Sequence, residues 1–348
     1  MIYKYFPRQG GIEEMVRKIG CFLRDSGDSI MILTDYEYYK EKSNGKSKEG
    51  FKIYHFNFLN LMKLLFYNKI DYIIVFDPFP RYIFLTVLFK TIKRNIISTI
   101  IFSGSRSEGV SKMKYLLKLI FLFFDNFIAI SDYTKKKMMD TKIRAKIKVI
   151  PPPLDVNKYK ISKLSGKTII TLDRICSRKR HLELIEVFKK VHDKDKRVRL
   201  KIIGWFEEVN RPYYNKIKKL INDYGLNHYV TFCGDVSERE KIKLLSEASL
   251  YIKTSRHEMF GISTLEAIAS GLPVVAFKNT ATAELVGKGG GILIEDGDIN
   301  KMAKTILKLM NNKNKIKLLS KKAIETAKSF SLDESCNKYK LCIKQDRY

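Results

Sequence analysis

The chain has 348 residues and carries 66 lysines and arginines against 37 aspartates and glutamates, a formal net charge of +29. This length predicts two domains, and an apolar fraction of 45% excludes a disordered chain. The five cysteines are scattered without the short paired spacings of zinc sites. Reduced thiols and the lack of a secretory leader pattern predict a cytoplasmic protein.

The excess of positive charge has three interpretations. It covers a solvated surface, it attracts anionic membrane lipid at about 1 kcal/mol per lysine or arginine, or it binds nucleic acid. No zinc finger, RNP-like strand or basic zipper accompanies the charge, so nucleic acid is not expected as a partner. Two apolar stretches, residues 82–93 and 115–124, are too short to span a bilayer. They are interpreted as helices buried on a sheet, with helices lying in a membrane interface as the alternative.

Along the first half of the chain, short apolar runs alternate with longer helical patterns, which predicts strand–helix units and parallel sheets. A glycine pair, Gly10 and Gly11, opens a helix predicted over residues 11–26. Their N–H groups at the start of this helix could face phosphates. Strands are predicted at residues 30–33, 72–76, 96–101, 127–130 and 147–150.

Three consecutive prolines at positions 151–153 can continue neither a helix nor a central strand, so they mark a linker. Beyond them, helices are predicted at 180–192 and 213–224, and strands at residues 168–172, 198–203, 229–232, 250–252, 274–276 and 291–294. A capping-box pattern from Ser331 to Glu334 opens a last helix. The predicted organisation is a first domain at residues 1–152, a second at 153–330 and a terminal helix within 331–348.

One segment of the second half combines two acids, a glycine turn and the start of a short helix: Glu258, Phe260, Gly261, Ile262 and Glu266. Backbone N–H groups at a helix N-terminus, with no side chain at Gly261 to obstruct them, predict a cradle for an anionic group such as phosphate. Carboxylates accept hydrogen bonds from sugar hydroxyls without proton transfer. The pattern therefore favours a sugar-nucleotide site.

Two cations, Arg174 and Lys179, follow the strand predicted at 168–172 and precede a helix. They are expected at the carboxyl end of the sheet, where open α/β folds bind ligands. Arginine offers a planar fork to phosphate oxygens and lysine a mobile point charge, whereas the alternative is a basic surface turn. The two Asp-x-Asp pairs are interpreted as turn aspartates, and no metal is expected at the site: Asp193 with Asp195, and Asp296 with Asp298.

These motifs together resemble those of the family 4 glycosyltransferases, which have the GT-B fold. Glu258 and Glu266 around Phe260-Gly261 are similar to the donor-site motif of the family, and Arg174 and Lys179 stand at its usual spacing. The resemblance implies an α/β fold of two tandem Rossmann-like, doubly wound domains facing a cleft. The first would be the acceptor-side domain, the second would bind the nucleotide sugar, and the terminal helix would pack back on the first.

The resemblance also implies the activity. A hexose-type sugar would move, with retention and without metal, from a UDP- or GDP-sugar, which is a substrate and not a cofactor. The acceptor would be an unknown glycan, glycolipid or glycoprotein. The implied catalytic residues are Arg174, Lys179 and Glu258. The implied donor-binding residues are Gly10, Gly11, Arg174, Lys179, Glu258, Phe260, Gly261, Ile262 and Glu266, with Glu258 near the sugar hydroxyls and Glu266 on the ribose.

The sequence departs from the family where a histidine often follows the strand at 96–101. The chain runs Phe102-Ser-Gly-Ser-Arg106 there, which leaves Ser103, Ser105 or Arg106 to take that place. The alternatives are a sugar-nucleotide epimerase or phosphorylase of the same fold, an inactive relative, or a non-enzymatic basic protein that binds nucleic acid or membrane. The expected partners are the nucleotide sugar, a glycan or lipid-linked acceptor, and an anionic membrane surface on the cytoplasmic side.

Overall fold

The structure is a computed structural model that describes residues 10–34, 45–47, 49–55, 57, 60, 63, 64, 70–77, 80–92, 96–103, 123–140 and 146–345. The chain divides into two compact units. The first unit combines Met1–Pro153 with Leu332–Tyr348, and the second unit is Leu154–Ser331. The two ends of the second unit lie side by side, because Leu154 and Ser331 pair as a parallel β-bridge.

The first unit contains a parallel four-stranded sheet whose strands follow chain order, and a smaller sheet in the order β1-β3-β2. The strands are β1 Met31–Thr34, β2 Gly45–Lys46, β3 Lys52–His55, β4 Tyr72–Phe76, β5 Ile97–Phe102, β6 Asn126–Ala129 and β7 Ile147–Val149. All five strands predicted for this half are present within one residue. Strand β3 was not predicted, because its sequence KIYH holds a single aliphatic residue and only Ile53 is buried.

The described helices of the first unit are α1 Gly11–Asp25, α2 Pro80–Ile92, α3 Asp132–Met139 and a terminal helix at Leu332–Ile343. Helix α2 includes residues 82–92 of the apolar stretch at 82–93. Its Tyr82 and Phe89 are buried in the core, whereas Phe84 is 68% exposed. The stretch at 115–122 lies outside the described residues. No helix in the described part of the chain is long and apolar enough to cross a membrane.

The terminal helix packs against α1 of the first unit. The Tyr339 hydroxyl donates a 2.7 Å hydrogen bond to the carbonyl of Ile150, and Lys344 forms a 2.8 Å ion pair with Asp28. Tyr339 is fully buried, so the end of the chain completes the core of the first unit.

The second unit is built on a six-stranded sheet in the order β10-β9-β8-β11-β12-β13, with every neighbouring pair parallel. Its strands are β8 Thr168–Leu172, β9 Arg199–Ile203, β10 Val230–Gly234, β11 Leu250–Lys253, β12 Val274–Phe277 and β13 Gly291–Ile294. Counted from β8, this is the 3-2-1-4-5-6 order of a Rossmann sheet. The strand order therefore reverses between β8 and β11, where such sheets bind ligands.

Every residue of β11 and β12 is buried, as expected of parallel strands covered by helices on both faces. The helices are α4 His181–Lys194, α5 Arg211–Asp223, α6 Glu238–Glu247, α7 Ile262–Ala269, α8 Thr282–Leu285, α9 Ile299–Met310 and α10 Lys313–Lys328. The predicted α/β fold with two Rossmann-like domains is confirmed. The predicted domain boundaries, after residues 152 and 330, lie one residue from the observed division.

Candidate functional site

The carboxyl ends of β8 and β11 carry opposite charges at the point where the strand order reverses. Asp173 follows β8 directly, and Lys253 is the last residue of β11. The backbone of Asp173 is packed against Gly204, which has φ of +147° and whose Cβ, if present, would lie 1.8 Å from the Asp173 carbonyl oxygen. Only glycine fits at position 204. The close contact between the two backbones fixes the backbone position from which the Asp173 side chain extends.

Four charged side chains form one buried group at this point, the four-charge cluster of Asp173, Lys179, Lys253 and Glu258. The Lys253 ammonium lies 2.7 and 2.8 Å from the two carboxylate oxygens of Asp173 and 2.8 Å from Oε1 of Glu258. Lys179 contacts the same two acids, at 2.8 Å from Asp173 and in direct contact with Glu258. The cluster therefore contains equal numbers of acids and lysines, each bound to both partners of opposite sign.

Mutual pairing keeps Glu258 and Lys253 ionised in this enclosed position. Burial alone would raise the pKa of Glu258, but Lys179 and Lys253 hold it well below its usual range. Burial alone would lower the pKa of Lys253, but Asp173 and Glu258 raise it above its usual value. An unpaired charge at such a site would cost several kcal/mol. The pairing of Lys179 with Glu258 joins two residues that the sequence predicted for donor binding from separate motifs.

The glycine turn beside the cluster has the conformation that its sequence predicts. Gly261 has φ of +91° and stands as the N-cap of α7, so the first N–H groups of that helix have no partner within it. A Cβ on Gly261 would lie 3.0 Å from the Thr282 hydroxyl and 3.4 Å from the Thr264 hydroxyl. Both hydroxyls are buried and make no hydrogen bond among the described residues. The turn thus offers amides and hydroxyls that fit an anionic oxygen.

Phe260 and Ile262 flank this turn in different ways. The Phe260 ring is buried and packs edge-on against Phe330, with ring centroids 5.8 Å apart. Its side chain thus belongs to the core of the second unit. Ile262 begins α7 and is half-buried. Donor contact by either residue, predicted from the sequence, stays a prediction.

Glu266 lies in α7 and has the partners that a buried acid requires. Its Oε1 accepts a 2.9 Å hydrogen bond from the Tyr159 hydroxyl and lies 2.6 Å from the ammonium of Lys241. Lys241 also pairs with Glu238 at 2.6 Å. Burial would lower the pKa of Lys241, but Glu266 and Glu238 raise it. Sequence analysis missed Tyr159 and Lys241, which belong to no motif and lie far along the chain from Glu266.

Arg174 stands at the same strand end but outside the four-charge cluster. Its guanidinium lies 3.7 Å from the carboxylate of Glu207 and over the ring of Trp205, 5.7 Å from the ring centroid. The side chain is 38% exposed. The sequence predicted that Arg174 and Lys179 bind one ligand together. In the structure, only Lys179, which ends the 3₁₀ turn Ser177–Lys179, is enclosed in the cluster. Arg174 is thus the more accessible of the two cations.

Gly10 and Gly11 belong to the first unit, at the start of α1. Gly10 is the N-cap, in an extended conformation, and Gly11 is the first helical residue. The carboxylate of Glu13 fills the place that a side chain at Gly10 would take. A negative charge already lies beside this helix start, so it is a weaker anion site than the sequence suggests. The predicted contact of both glycines with the donor stays a prediction.

The two Asp-x-Asp pairs are held by neighbouring cations and turns. Asp193, in the last turn of α4, pairs with Lys189 and Lys196, and Asp195 binds Arg197 through both carboxylate oxygens. Asp296 pairs with Arg180, and Asp298 caps α9. No group of three metal-ligating side chains is found in the described ranges of the chain.

A polar pair lies at the carboxyl ends of β4 and β5 in the first unit. The backbone N–H and hydroxyl of Ser103 donate hydrogen bonds of 2.7 and 2.6 Å to the two carboxylate oxygens of Asp77. Both residues are buried, and Asp77 has φ of +60°. Sequence analysis named Ser103 but missed Asp77, whose one signal is its place directly after a strand. Ser105 and Arg106 lie outside the described residues.

Two family models match the chain and together cover most of it. The model described as Glycosyltransferase Family 4 matches residues 9–158, and the model described as Glycosyl transferases group 1 matches residues 157–329. The second match holds the four-charge cluster, the Gly261 turn and Glu266. The boundary between the matches falls close to the division between the two units.

Curated relatives share the second unit most clearly. An alpha-monoglucosyldiacylglycerol synthase of Streptococcus pneumoniae is 24% identical over 192 residues, covering 51% of this chain and 42% of that protein. A poly(ribitol-phosphate) alpha-N-acetylglucosaminyltransferase of Staphylococcus aureus is 35% identical over 148 residues, covering 42% of this chain and 29% of that protein. The chain therefore spans less than half the length of these relatives.

A solved structure shares the whole architecture. Anabaena Alr3699/HepE, determined in complex with UDP and glucose, superposes with a TM-score of 0.82 over 97% of each chain at 19% identity. Agreement at this level shows the fold, which is that of the GT-B glycosyltransferases. The paired family matches, the Rossmann strand order and this architecture lead to one conclusion: the chain belongs to the group 1 glycosyltransferases, with a family 4 N-terminal domain.

Proposed function

We propose that this protein transfers a hexose-type sugar from a UDP-sugar to a glycan or lipid-linked acceptor, with retention and without a metal ion. The observation that carries the proposal is the four-charge cluster beside the Gly261 turn, at the strand reversal of a Rossmann sheet. The structure of Anabaena Alr3699/HepE with UDP favours uridine over guanosine as the base. A GDP-sugar is the alternative donor.

In the proposed reaction, the bond between the anomeric carbon and the diphosphate oxygen breaks. The acceptor oxygen forms its bond to that carbon on the same face, and its proton leaves with the diphosphate. Negative charge grows on the diphosphate as the bond breaks, so fixed positive groups lower the barrier. Lys179, Arg174 and the amides that follow Gly261 are proposed to supply them.

The two glutamates are proposed to hold hydroxyl groups of the donor. Glu258 stays ionised within the cluster and is a hydrogen-bond acceptor for the sugar. Glu266 uses Oε1 for both Tyr159 and Lys241, so Oε2 is the atom proposed to accept from the ribose. In the first unit, Asp77 with Ser103 is the candidate polar pair on the acceptor side.

The partner surface proposed for anionic membrane lipid is a lysine-rich face on α9 and α10. These lysines have no carboxylate within ion-pair distance among the described residues: Lys301, Lys304, Lys308, Lys313, Lys315, Lys317, Lys321, Lys322 and Lys328. Glu325 is the one acid of the two helices. By contrast, Lys189 of α4 pairs with Asp193, and Lys241 and Lys243 of α6 pair with Glu238 and Glu240. A peripheral position on the inner membrane face follows from this proposal.

A donor screen tests the proposed function. Purified protein is titrated calorimetrically with UDP, GDP and their hexose derivatives in the presence of EDTA, and turnover is followed with simple glycosides as acceptors. Saturable binding of UDP, and a product whose anomeric configuration equals that of the donor by NMR, are expected. Absence of binding to every nucleotide, or inversion in the product, would contradict the proposal. Epimerised donor without acceptor would favour the epimerase alternative.

A further inference from the structure

Lys253 is the lysine of the four-charge cluster to which the proposed chemistry gives no task. Its side chain is 2% exposed, at the end of β11. Its ammonium has four acceptors in reach, the two oxygens of Asp173, Oε1 of Glu258 and, at 3.1 Å, the hydroxyl of Ser263 in the first turn of α7. An ammonium has only three N–H donors. Lys253 is thus fully engaged by the protein and has no donor left for a ligand.

Lys179 differs from Lys253 in each of these respects. Its side chain is 11% exposed, it is carried by a 3₁₀ turn instead of a strand, and its two acceptors are Asp173 and Glu258. One donor of its ammonium is therefore available to a ligand. Of the two lysines, Lys179 is the one that a diphosphate can attract without breaking the sheet.

A charge imbalance follows when Lys179 turns away. In the cluster as observed, the charges of Asp173 and Glu258 are balanced by those of Lys179 and Lys253. Once Lys179 binds a diphosphate, two buried carboxylates depend on a single remaining cation. Buried carboxylates without a partner either take up a proton or lose their position. Lys253 already contacts both carboxylates, so it remains to hold them.

We propose that Lys253 is a positioning residue that keeps Asp173 and Glu258 ionised and in place while Lys179 exchanges these acids for the diphosphate of the donor. This inference rests on the proposed donor site. In the empty site, Asp173 and Glu258 bind Lys179. They release it when the diphosphate binds. The strength of the ion pairs that Lys179 forms with Asp173 and Glu258 then determines the affinity for the donor diphosphate.

The variant that tests the exchange is Lys253→Met, which keeps the length of the side chain and removes its charge. Lys179 is then the sole cation for two acids, so UDP competes with both for it. We expect UDP to bind at least about tenfold more weakly. We also expect kcat/KM to fall as the pH is lowered through a newly raised pKa of Glu258, whereas the wild type stays flat over the same range.

Two other titratable groups beside the four-charge cluster do not ionise in that range. Burial raises the pKa of Tyr251 above its usual value, and burial lowers the pKa of His181 to about 4. Asp173 and the two lysines are the charged groups of the cluster around Glu258. His257 adjoins Glu258 in the wild type as well, so an acid limb that appears only in Lys253→Met, between about pH 5 and pH 8, reports the acids that lost Lys253.

Two Asp173→Asn variants provide the matched controls. The double variant Lys253→Met with Asp173→Asn leaves Glu258 and Lys179 as a balanced pair, so the affinity for UDP and the flat pH profile are expected to return. The single variant Asp173→Asn leaves an excess of one lysine, so UDP should bind about three- to tenfold more tightly. A merely structural role for Lys253 predicts no recovery in the double variant and no gain in the single one.

The outcomes separate this inference from the proposed function. Circular dichroism and thermal unfolding report whether each variant folds. If Lys253→Met does not fold, the Asp173→Asn single variant tests the inference. Wild-type protein that binds no nucleotide overturns the proposed function. Wild-type protein that binds UDP, together with an unchanged affinity and pH profile in Lys253→Met or weaker binding in Asp173→Asn, overturns the inference alone. If the donor screen selects guanosine, GDP replaces UDP in each measurement.

Discussion

Lysines of the second unit stand in two opposite settings. Lys179 and Lys253 are buried, and each is held by the carboxylates of Asp173 and Glu258. The lysines on the outer face of α9 and α10 are exposed and have no acid within ion-pair distance in the described part of the chain. Water solvates the exposed ammonium groups, whereas the buried ones need partners. The net charge of +29 therefore comes from residues on the surface. Within the four-charge cluster, two acids balance two lysines.

The largest effect on kcat/KM is expected when Lys179 of the four-charge cluster is replaced. Lys179→Ala takes away the charge proposed to meet the departing diphosphate, so kcat/KM should fall by about 10²- to 10³-fold. Lys189→Ala, which removes a lysine that pairs with Asp193 on the surface of α4, is the matched control and should change kcat/KM less than twofold. Steady-state kinetics with the donor found by the screen measures both. Similar losses of kcat/KM in the two variants would contradict the proposed difference between Lys179 and the surface lysines.

An intermediate effect is expected at the second buried pair. Glu266→Gln keeps the shape of the side chain but weakens its acceptor and leaves Lys241 with Glu238 alone. Binding of UDP should weaken about tenfold, while binding of the diphosphate alone stays unchanged, because the ribose contact is lost. Calorimetry with UDP and with pyrophosphate separates the two. Glu240→Gln, at a surface pair with Lys243, serves as the control. Equal loss for both ligands would move Glu266 away from the ribose.

The smallest effect on turnover is expected at the exposed lysines. Replacing Lys304, Lys308, Lys317 and Lys321 by glutamine should change turnover of a soluble acceptor less than twofold and stability by about 0.5 kcal/mol or less per site. Binding to vesicles containing anionic lipid should fall strongly, because each lysine near such a surface contributes about 1 kcal/mol. Cosedimentation at low and high salt measures this, with neutral vesicles as the control. Unchanged vesicle binding would show that this face is not the membrane surface.

The fold could be predicted from the sequence to a large extent. Every strand of the second unit was placed within two residues, because parallel strands buried on both faces appear as uninterrupted apolar runs between helical patterns. Strand β3 was missed because Ile53 is its one aliphatic residue, between the polar Lys52 and His55 at its two ends. Its hydrophobic content is too low for a pattern to separate it from a loop.

The candidate site was predictable only where residues lie in local motifs. Glu258, Gly261 and Glu266 share one segment, and Lys179 follows a strand, so spacing sufficed for them. Lys253 could not be recognised, because a lysine that ends an apolar strand usually reaches the solvent. Its burial depends on Asp173, 80 residues away along the chain. The partners of Glu266 were missed for the same reason, since one sequence carries no trace of contacts over such separations.

The parallel bridge between Leu154 and Ser331 bears on how the chain folds. The second unit is an uninterrupted stretch that starts and finishes at neighbouring points, so its core closes without any residue of the first unit. The first unit must wait for its last piece, because Tyr339 reaches Ile150 across 189 positions. Removal of the last dozen residues of this sequence would therefore leave the second unit whole and the first unit with an open core.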